Sequence, residues 1–404
     1  MSRARVMFVV NHVAFFASHR LPIALAAREA GHEVLLVTGQ PASLSMEAAA
    51  VRQADTAGIA HRRVAFRSSS VNPFTELRGL WGLFNLMRRW RPNIVHCVSP
   101  KGVMYGGLAA RIANVPAVVV AISGMGYAST SSGRTDLRRW GVRTVIQLMS
   151  RIVYAHRKLV VIVQNTDDEA NVRSALRRSG SRIELIRGSG VNPEHYAHVS
   201  SRKKESVVLF PARMLLDKGL IEFVSAARRL KRDHPRWRFV LAGAADYENP
   251  TSVSVTQIAQ WEHEGIIEWL GHVDDMKPLY WDAAIVCLPS YREGMPKCLI
   301  EAAAAACAVV TTDVVGCREA IVRGKTGDLV PARDVGALTE ALDQLLRDDE
   351  RRIRYGEAGQ ALARREFSLD AVVSQTLDIY DSLASTPAEV PRVSRFRPTF
   401  PQNE

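Results

Sequence analysis

The stretch PSYREGMPKCLIEA, residues 289–302, places Glu293 and Glu301 eight positions apart, with Gly294, Met295 and Pro296 between them. Paired carboxylates serve acid–base catalysis, metal coordination, or simply the wet face of a helix. Pro296 suits a first helical turn, and the Ala-rich run behind it continues a helix. Glu293 then lies in the loop ahead of the helix. Glu301 lies some five residues inside it, a rise of roughly 7–8 Å. That is too far for a shared proton or one small metal ion. It suits two contacts to one elongated ligand, with an anionic group at the helix start between them. A solvated Glu301 is the weaker alternative on an Ala-rich helix packed against a sheet.

Other residues in the second half sit where strands end. FPARMLLDKGL places Arg213 just after a strand and Lys218 five residues later, where a helix begins, with Asp217 as an N-cap candidate. Two cations beside free helix N–H groups make an anion site, although Arg and Lys are also ordinary loop residues. FVLAGAADYENP ends a strand at Gly243, which lets a ligand approach the backbone. WLGHVDDM brings Gly271 and His272 to another strand end. The Asp274-Asp275 pair reads as a helix cap ahead of Met276 rather than a metal motif. His272 is as compatible with a structural role as with a functional one. Two cations between two carboxylates fit a ligand with a hydroxylated end, a diphosphate and a second hydroxylated end, which describes a nucleotide sugar.

The elements behind these residues alternate. In the first half, strand-like runs at 5–11, 32–39, 61–66, 93–99, 116–123, 158–165 and 182–188 are separated by helical stretches near 18–30, 76–90, 102–113, 134–157 and 167–179. Gly31 fits a C′ cap of the first helix and Asp167 an N-cap of the last. Residues 191–206 are polar and unpatterned, as a linker would be, and the alternation then restarts. Such alternation predicts parallel, doubly wound sheets, with ligands at the carboxyl ends of the strands. The expected fold class is α/β, with two Rossmann-like domains around a central cleft. The divisions are 1–195, 206–367, a helix 368–385 that can cross back to the first domain, and a Pro-rich tail 386–404. A chain of 404 residues is long enough for two cores.

Composition narrows the class. Hydrophobic content of 47% and charged content of 23% are those of a globular protein. Cys97, Cys287, Cys298, Cys307 and Cys317 show no metal-ligand spacing, so reduced, buried thiols are expected. No apolar run approaches the roughly 20 residues of a membrane span, and the strand-like start RVMFVVN does not read as a signal peptide. Residues 1–200 hold 26 Lys+Arg against 11 Asp+Glu, whereas residues 201–404 hold 27 against 30. The net charge of +12 therefore resides in the first half. That asymmetry suits a polyanion or an anionic membrane surface, or reflects a basic proteome.

The segments ARMLLDKG, PSYREGMPKCLIEA and TTDVVGCREAIVRGKTGDLVPARD resemble the C-terminal domain of glycosyltransferase family four, the retaining GT-B enzymes. The resemblance runs from FFASHRLPIALAAREAGHEVLLVT through RGSGVN to about residue 370, and favours the branch that builds bacterial O-antigens, capsules and lipid-linked oligosaccharides. It implies that Glu293 holds donor-sugar hydroxyls and Glu301 the ribose. Arg213 and Lys218 neutralise the diphosphate leaving group. The backbone at Gly294, Met295 and Pro296 runs along sugar and phosphates, and His272 borders the base. It implies no metal and no cofactor beyond a UDP-sugar co-substrate, because the cations do the electrostatic work on the leaving group. Glu293 is then a positioning group, and a donor phosphate oxygen takes the acceptor's proton. The chain departs from the wider family in its first domain. NHVAFFASHR replaces a Gly-Gly loop, and SGMGYA, with Gly124 and Gly126, stands where many members carry a histidine. Those glycines can still let backbone approach the donor. His19 is an acceptor-side candidate; His12 and His96 also lie at strand ends.

LRGLWGLFNLMRRWRP (77–92) and RTDLRRWGVRTVIQLMSR (134–151) are basic, aromatic and amphipathic. Such surfaces suit an anionic leaflet carrying a polyprenyl-diphosphate-linked saccharide, or are core-facing helices with charged backs. The expected location is the cytoplasm, peripheral on the inner face of the membrane. No specific nucleic-acid motif is present. The rivals to a transferase are a GT-B nucleotide-sugar epimerase and a non-catalytic GT-B scaffold.

Overall fold

Runs of Val, Ile, Leu and Ala, too short for helices and apolar on both faces, form two parallel sheets. The computed structural model describes residues 3–41, 44–67, 72–122, 148–176, 181–196, 204–246 and 249–385. The first sheet contains β1 (Arg5–Val10), β2 (Glu33–Gln40), β3 (Ala60–Arg67), β4 (Ile94–Val98), β5 (Ala117–Ile122), β6 (Leu159–Val163) and β7 (Arg182–Leu185) in the order β3-β2-β1-β4-β5-β6-β7. The second contains β8 (Glu205–Phe210), β9 (Arg238–Leu241), β10 (Glu268–Trp269), β11 (Ala283–Leu288), β12 (Ala308–Thr312) and β13 (Gly327–Val330) in the order β10-β9-β8-β11-β12-β13. All pairings are parallel. Each order reverses once, at β1/β4 and at β8/β11. Connections leave in opposite directions there, which opens a crevice at the strands' carboxyl ends.

Every residue of β4, β5, β6, β11 and β12 is buried, so helices cover both sheet faces. Phe8, Phe16, Leu36 and Ile94 anchor one face of the first sheet, and Met7, Phe66, Leu83 and Met87 the other. Phe210, Phe223, Phe239 and Leu299 belong to the core of the second domain. The chain crosses between the domains twice, and the crossings touch. Val191 N–H donates to Phe367 O and Leu369 N–H donates to Val191 O, both at 2.8 Å. The helix Asp349–Glu366 packs on the second core, whereas Val372, Ile379 and Tyr380 of the helix Leu369–Ser385 join the first.

Several local expectations differ from the structure. The first helix is two helices, Val13–His19 and Leu21–Glu29, broken at Arg20, whose backbone leaves the helical region. Pro22 at the start of the second helix has no N–H to continue the first. Gly31 follows this pair with a positive φ of 91°, as its C′ position requires. A helix at Leu44–Thr56 lies where none was expected. The stretch 102–113 opens with a π-helical turn, Gly102–Gly106, before the α-helix Gly107–Ile112. The N-cap of the helix Thr166–Ala175 is Asn165 rather than Asp167, which lies in the first turn. The expected linker 191–206 includes a helical turn at Pro193–Tyr196. Residues 134–147 of the second basic segment and the tail 386–404 lie outside the described residues.

Candidate active site

Several of the second-domain residues singled out above lie just past a strand's carboxyl end. Arg213 follows β8, Gly243 follows β9, His272 follows β10 and Glu293 follows β11. The β8/β11 reversal thus brings the Arg213–Lys218 loop beside the Pro289–Pro296 loop. Lys218 does not begin the helix. It ends a single 3-10 turn, Leu216–Lys218, and the helix Leu220–Asp233 starts after Gly219. Gly219 has φ 75°, and a Cβ there would stand 2.0 Å from Pro289 O, so only glycine allows the two loops to meet this closely. Asp217 does not cap the helix either; it accepts a hydrogen bond from Thr251 Oγ1 at 2.5 Å.

Lys218 Nζ donates to Glu293 Oε1 at 2.5 Å, and Ser290 Oγ donates to the same oxygen at 2.7 Å. Burial opposes the charge on Lys218, but the adjacent Glu293 carboxylate outweighs it and raises the ammonium's pKa above the usual value. Lys218 is therefore a fixed cation at neutral pH. Arg213, 56% exposed, pairs with Asp246 at 2.5 Å in the loop after β9. It is the more accessible of the two cations.

Glu301 lies in the helix Lys297–Ala304; Pro296 occupies the position just before its first turn, with extended backbone, rather than the first turn itself. Its carboxylate is buried and held by three donors. Tyr196 Oη and Lys297 Nζ reach Oε1 at 2.8 and 3.0 Å, and Tyr280 Oη reaches Oε2 at 3.2 Å. Burial first, then Glu301, raises the pKa of both tyrosines, so they remain neutral donors. Between the two glutamates, burial and then Glu293 and Glu301 raise the Cys298 thiol's pKa. Cys298 is an uncharged packing group. The other cysteines are buried and free.

The remaining residues differ in what they contribute. A Cβ at Gly243 would stand 2.0 Å from Ala212 O, so backbone packing already demands glycine there. His272 projects outward with its side chain 69% exposed, 3.2 Å from Asp274. The N-cap position of the helix Lys277–Asp282 is Met276, without a side-chain cap, and Asp275 one residue earlier accepts from Lys277 N–H through Oδ1 at 3.1 Å. Met295 is buried and lies against Gly188 at the interdomain crossing. Gly294 O accepts from Asn165 Nδ2 of the first domain at 2.7 Å. Gly124 and Gly126 lie outside the described residues. Among the described residues, no group of three or more His, Cys, Asp or Glu side chains converges as metal ligands.

Across the cleft, the His19 ring stacks on Phe15 with centroids 4.3 Å apart, and Ser18 Oγ lies 2.6 Å from Nδ1. Burial first, then the cations of Arg20 and second-domain Lys297, hold its pKa down to about 3. His19 is neutral at physiological pH and a weak base. His12 lies 3.6 Å from Glu47, and His96 bonds Tyr380 Oη inside the core. Strand-end placement could have pointed to Ser290 and Asn165. Tyr196, Tyr280 and Asp246 carry no such signal.

Two doubly wound domains, with charged residues gathered at the carboxyl ends of one sheet, define the GT-B class of architecture. Solved structures share it. A sucrose-phosphate synthase from Thermosynechococcus elongatus superposes with a TM-score of 0.73 at 18% identity, over 94% of this chain and 99% of that one. Anabaena HepE in complex with UDP-glucose does so with a TM-score of 0.73 at 16% identity, over 94% and 100%. The family model for Glycosyl transferases group 1 matches residues 192–362, and that for the Glycosyl transferase 4-like domain matches residues 17–166. The chain belongs to glycosyltransferase family four. An N,N'-diacetylbacillosaminyl-diphospho-undecaprenol alpha-1,3-N-acetylgalactosaminyltransferase of Campylobacter jejuni is 26% identical over 93% of this chain and 98% of its own. A capsular polysaccharide biosynthesis glycosyltransferase of Staphylococcus aureus is 22% identical over 76% and 82%.

Proposed function

We propose that this glycosyltransferase moves a sugar, with retention, from a UDP-sugar to a polyprenyl-diphosphate-linked saccharide in bacterial surface polysaccharide synthesis. An N-acetylhexosamine is the favoured sugar. One arrangement supports the reading: Arg213 and Lys218 in the loop after β8 adjoin Glu293 in the loop after β11, and buried Glu301 lies in the helix that follows that loop. Glu301, held by Tyr196 and Tyr280, binds the ribose. Lys218 and Arg213 exchange part of their carboxylate contacts for the diphosphate and stabilise the charge that grows on it as the glycosidic bond breaks. This electrostatic work makes the reaction independent of metal. Glu293, anchored by Lys218 and Ser290, orients the donor sugar. His19 is too weak a base at neutral pH to take the acceptor's proton, which favours a donor phosphate oxygen for that role.

The lipid-linked acceptor is supported by the Campylobacter relative, a transferase acting on a diphospho-undecaprenol-linked sugar. The helix Pro73–Trp90 supports a peripheral seat on the cytoplasmic leaflet. Its Phe74, Leu77 and Trp81 are 85%, 66% and 63% exposed, above a groove lined by Arg62, Arg63, Arg78 and Arg89. Among the described residues no helix is long and apolar enough to cross a membrane.

The deciding experiment incubates the protein with UDP-N-acetylhexosamines and a short polyprenyl-diphosphate saccharide, with and without EDTA. Transfer with an unchanged anomeric configuration, insensitive to EDTA, is expected. Loss of Lys218 to Ala should slow turnover by about 10²-fold or more. Epimer formation without acceptor would replace the transferase by an epimerase, and unimpaired polymer synthesis by Lys218→Ala cells would favour a scaffold.

A further inference from the structure

The first turn of the helix Thr166–Ala175 belongs to the first domain, yet its polar groups serve two loops of the second. Asn165 Nδ2 donates to Gly294 O at 2.7 Å and to Asp168 Oδ2 at 2.9 Å, while its Oδ1 accepts from Asp168 N–H at 2.7 Å. Asp168 has no exposed surface, and its Oδ1 accepts from Arg292 Nη2 at 2.9 Å. Thr166 donates its N–H and its hydroxyl to Glu319 Oε1 at 2.8 and 2.9 Å. A second-domain carboxylate thus sits on a first-domain helix N-terminus, where the dipole favours it. Arg318 lies 3.6 Å from Asp167 at the edge of the same contact.

The two loops held this way are also held to each other. Glu293 N–H donates to Val315 O at 3.0 Å. Gly316 has φ 82°, and a Cβ there would stand 2.4 Å from Gly294 O and 2.5 Å from Glu293 O. A shift of either loop therefore moves the backbone that carries Glu293. The cation that Asp168 bonds comes from the opposite domain. Both groups give up water to meet, so the pair specifies the closed geometry, and deleting one partner leaves the other a buried, unpaired charge in that geometry.

We propose that Asn165, Thr166 and Asp168 form an interdomain latch that engages Arg292, Gly294 and Glu319 and positions the Glu293–Pro296 loop. The latch thereby fixes the backbone that carries Glu293 relative to the first domain. The latch residues are positioning residues, and their effect on transfer rests on the donor reading above. The nucleotide contacts at Glu301 and Arg213 lie outside the latch, so the two can be separated.

The test uses the full chain. Arg292→Gln and Glu319→Gln alter the second-domain side and leave the helix cap intact; Asp168→Asn and Thr166→Val alter the first. Each is expected to lower kcat/KM at least about tenfold, mainly through kcat, while UDP affinity by calorimetry stays within about twofold. Thr166→Ser, which keeps the hydroxyl, should restore activity. The Asp168→Asn/Arg292→Gln double variant should be no slower than its worse single parent, because one contact is broken either way. Unchanged kcat/KM, multiplicative single effects, or a parallel loss of UDP affinity would each overturn the latch. Small-angle scattering of the unliganded chain tests it without substrate. The Arg292→Gln variant, which leaves buried Asp168 without its cation in the closed arrangement, should show a larger radius of gyration, and an unchanged radius overturns it. If the unaltered protein failed to bind UDP, the donor reading would fall, and scattering would still decide the latch.

Discussion

Glu301 combines burial with a fixed orientation. Two neutral tyrosine hydroxyls and the Lys297 ammonium hold it, leaving only part of its hydrogen-bonding capacity for a ligand. Hydrogen bonds to a charged group contribute about 1.5–3 kcal/mol. Glu301→Gln keeps the shape but turns an amide N–H₂ toward existing donors. It should therefore weaken UDP binding about 10- to 100-fold. Calorimetry checks this, and unchanged affinity would remove the ribose role. The pairing of Glu293 with Glu301 was legible because both lie in one short stretch. The groups that orient them were not. Tyr280 lies 21 residues before Glu301 in the chain, and Tyr196 lies 105 residues before it. No local period connects such distant residues; the fold brings them together.

At the scale of elements, strands were the most legible, because a strand buried on both faces reads as an unbroken apolar run. The helix Leu44–Thr56 escaped notice because its buried side includes Ala50 and Ala54, which contrast weakly with their neighbours. Amphipathicity in Pro73–Trp90 was legible, but which apolar residues face the sheet was not. Gly79, Leu83 and Met87 pack inward, and Gly79 lies against Phe66 so closely that a Cβ would stand 2.8 Å from it. Phe74, Leu77 and Trp81 are left outside beside arginines. Burying each large side chain in lipid is worth about 1.5–3 kcal/mol. Leu77→Ser/Trp81→Ser should therefore lower binding to anionic vesicles by more than about tenfold, with little change in melting temperature. Unaltered co-sedimentation would refute the membrane role of this helix.

A second element, the helix Leu369–Ser385, is tied to β4 by Tyr380 Oη and His96 Nδ1 at 2.5 Å. Burial first, then the Arg20 cation, hold the His96 pKa well below 6.5. An unfolded chain binds a proton at His96 once pH falls below about 6.5, while the folded chain does not. The stability this contributes is complete above that pH and declines as pH drops. Melting temperature should fall between pH 7 and pH 5, less steeply in His96→Gln. His19, shifted the same way, leaves a residual slope. An identical slope in the variant would show that another group sets the pH dependence.

On the scale of the whole molecule, charge and topology divide the labour between the domains. The excess of basic residues belongs to the first 200 residues, whereas the residues proposed to hold the donor follow strands of the second sheet. On the proposed reading, raising salt should weaken vesicle binding more than nucleotide binding, whose contacts at Lys218 and Glu301 are partly buried and buried. The sequence made both halves and their polarity legible. It did not reveal that the paired crossings at Val191 and Leu369, with the contacts around Asp168, join them. A chain with several cores need not melt in one step. A ligand confined to the second domain stabilises the core that binds it. At UDP concentrations of about 100 Kd the gain is about 2.7 kcal/mol. For a domain of this size, at about 2–4 °C per kcal/mol, that raises the midpoint by about 5–11 °C. Scanning calorimetry should show the shift in the transition that carries the second core. At the same UDP concentration the shift should fall to about half or less in Glu301→Gln, because a Kd weaker by about 10- to 100-fold leaves about 1.4 to 0.4 kcal/mol. An equal shift in that variant would place the nucleotide elsewhere, since a ligand stabilises only the state whose contacts it makes.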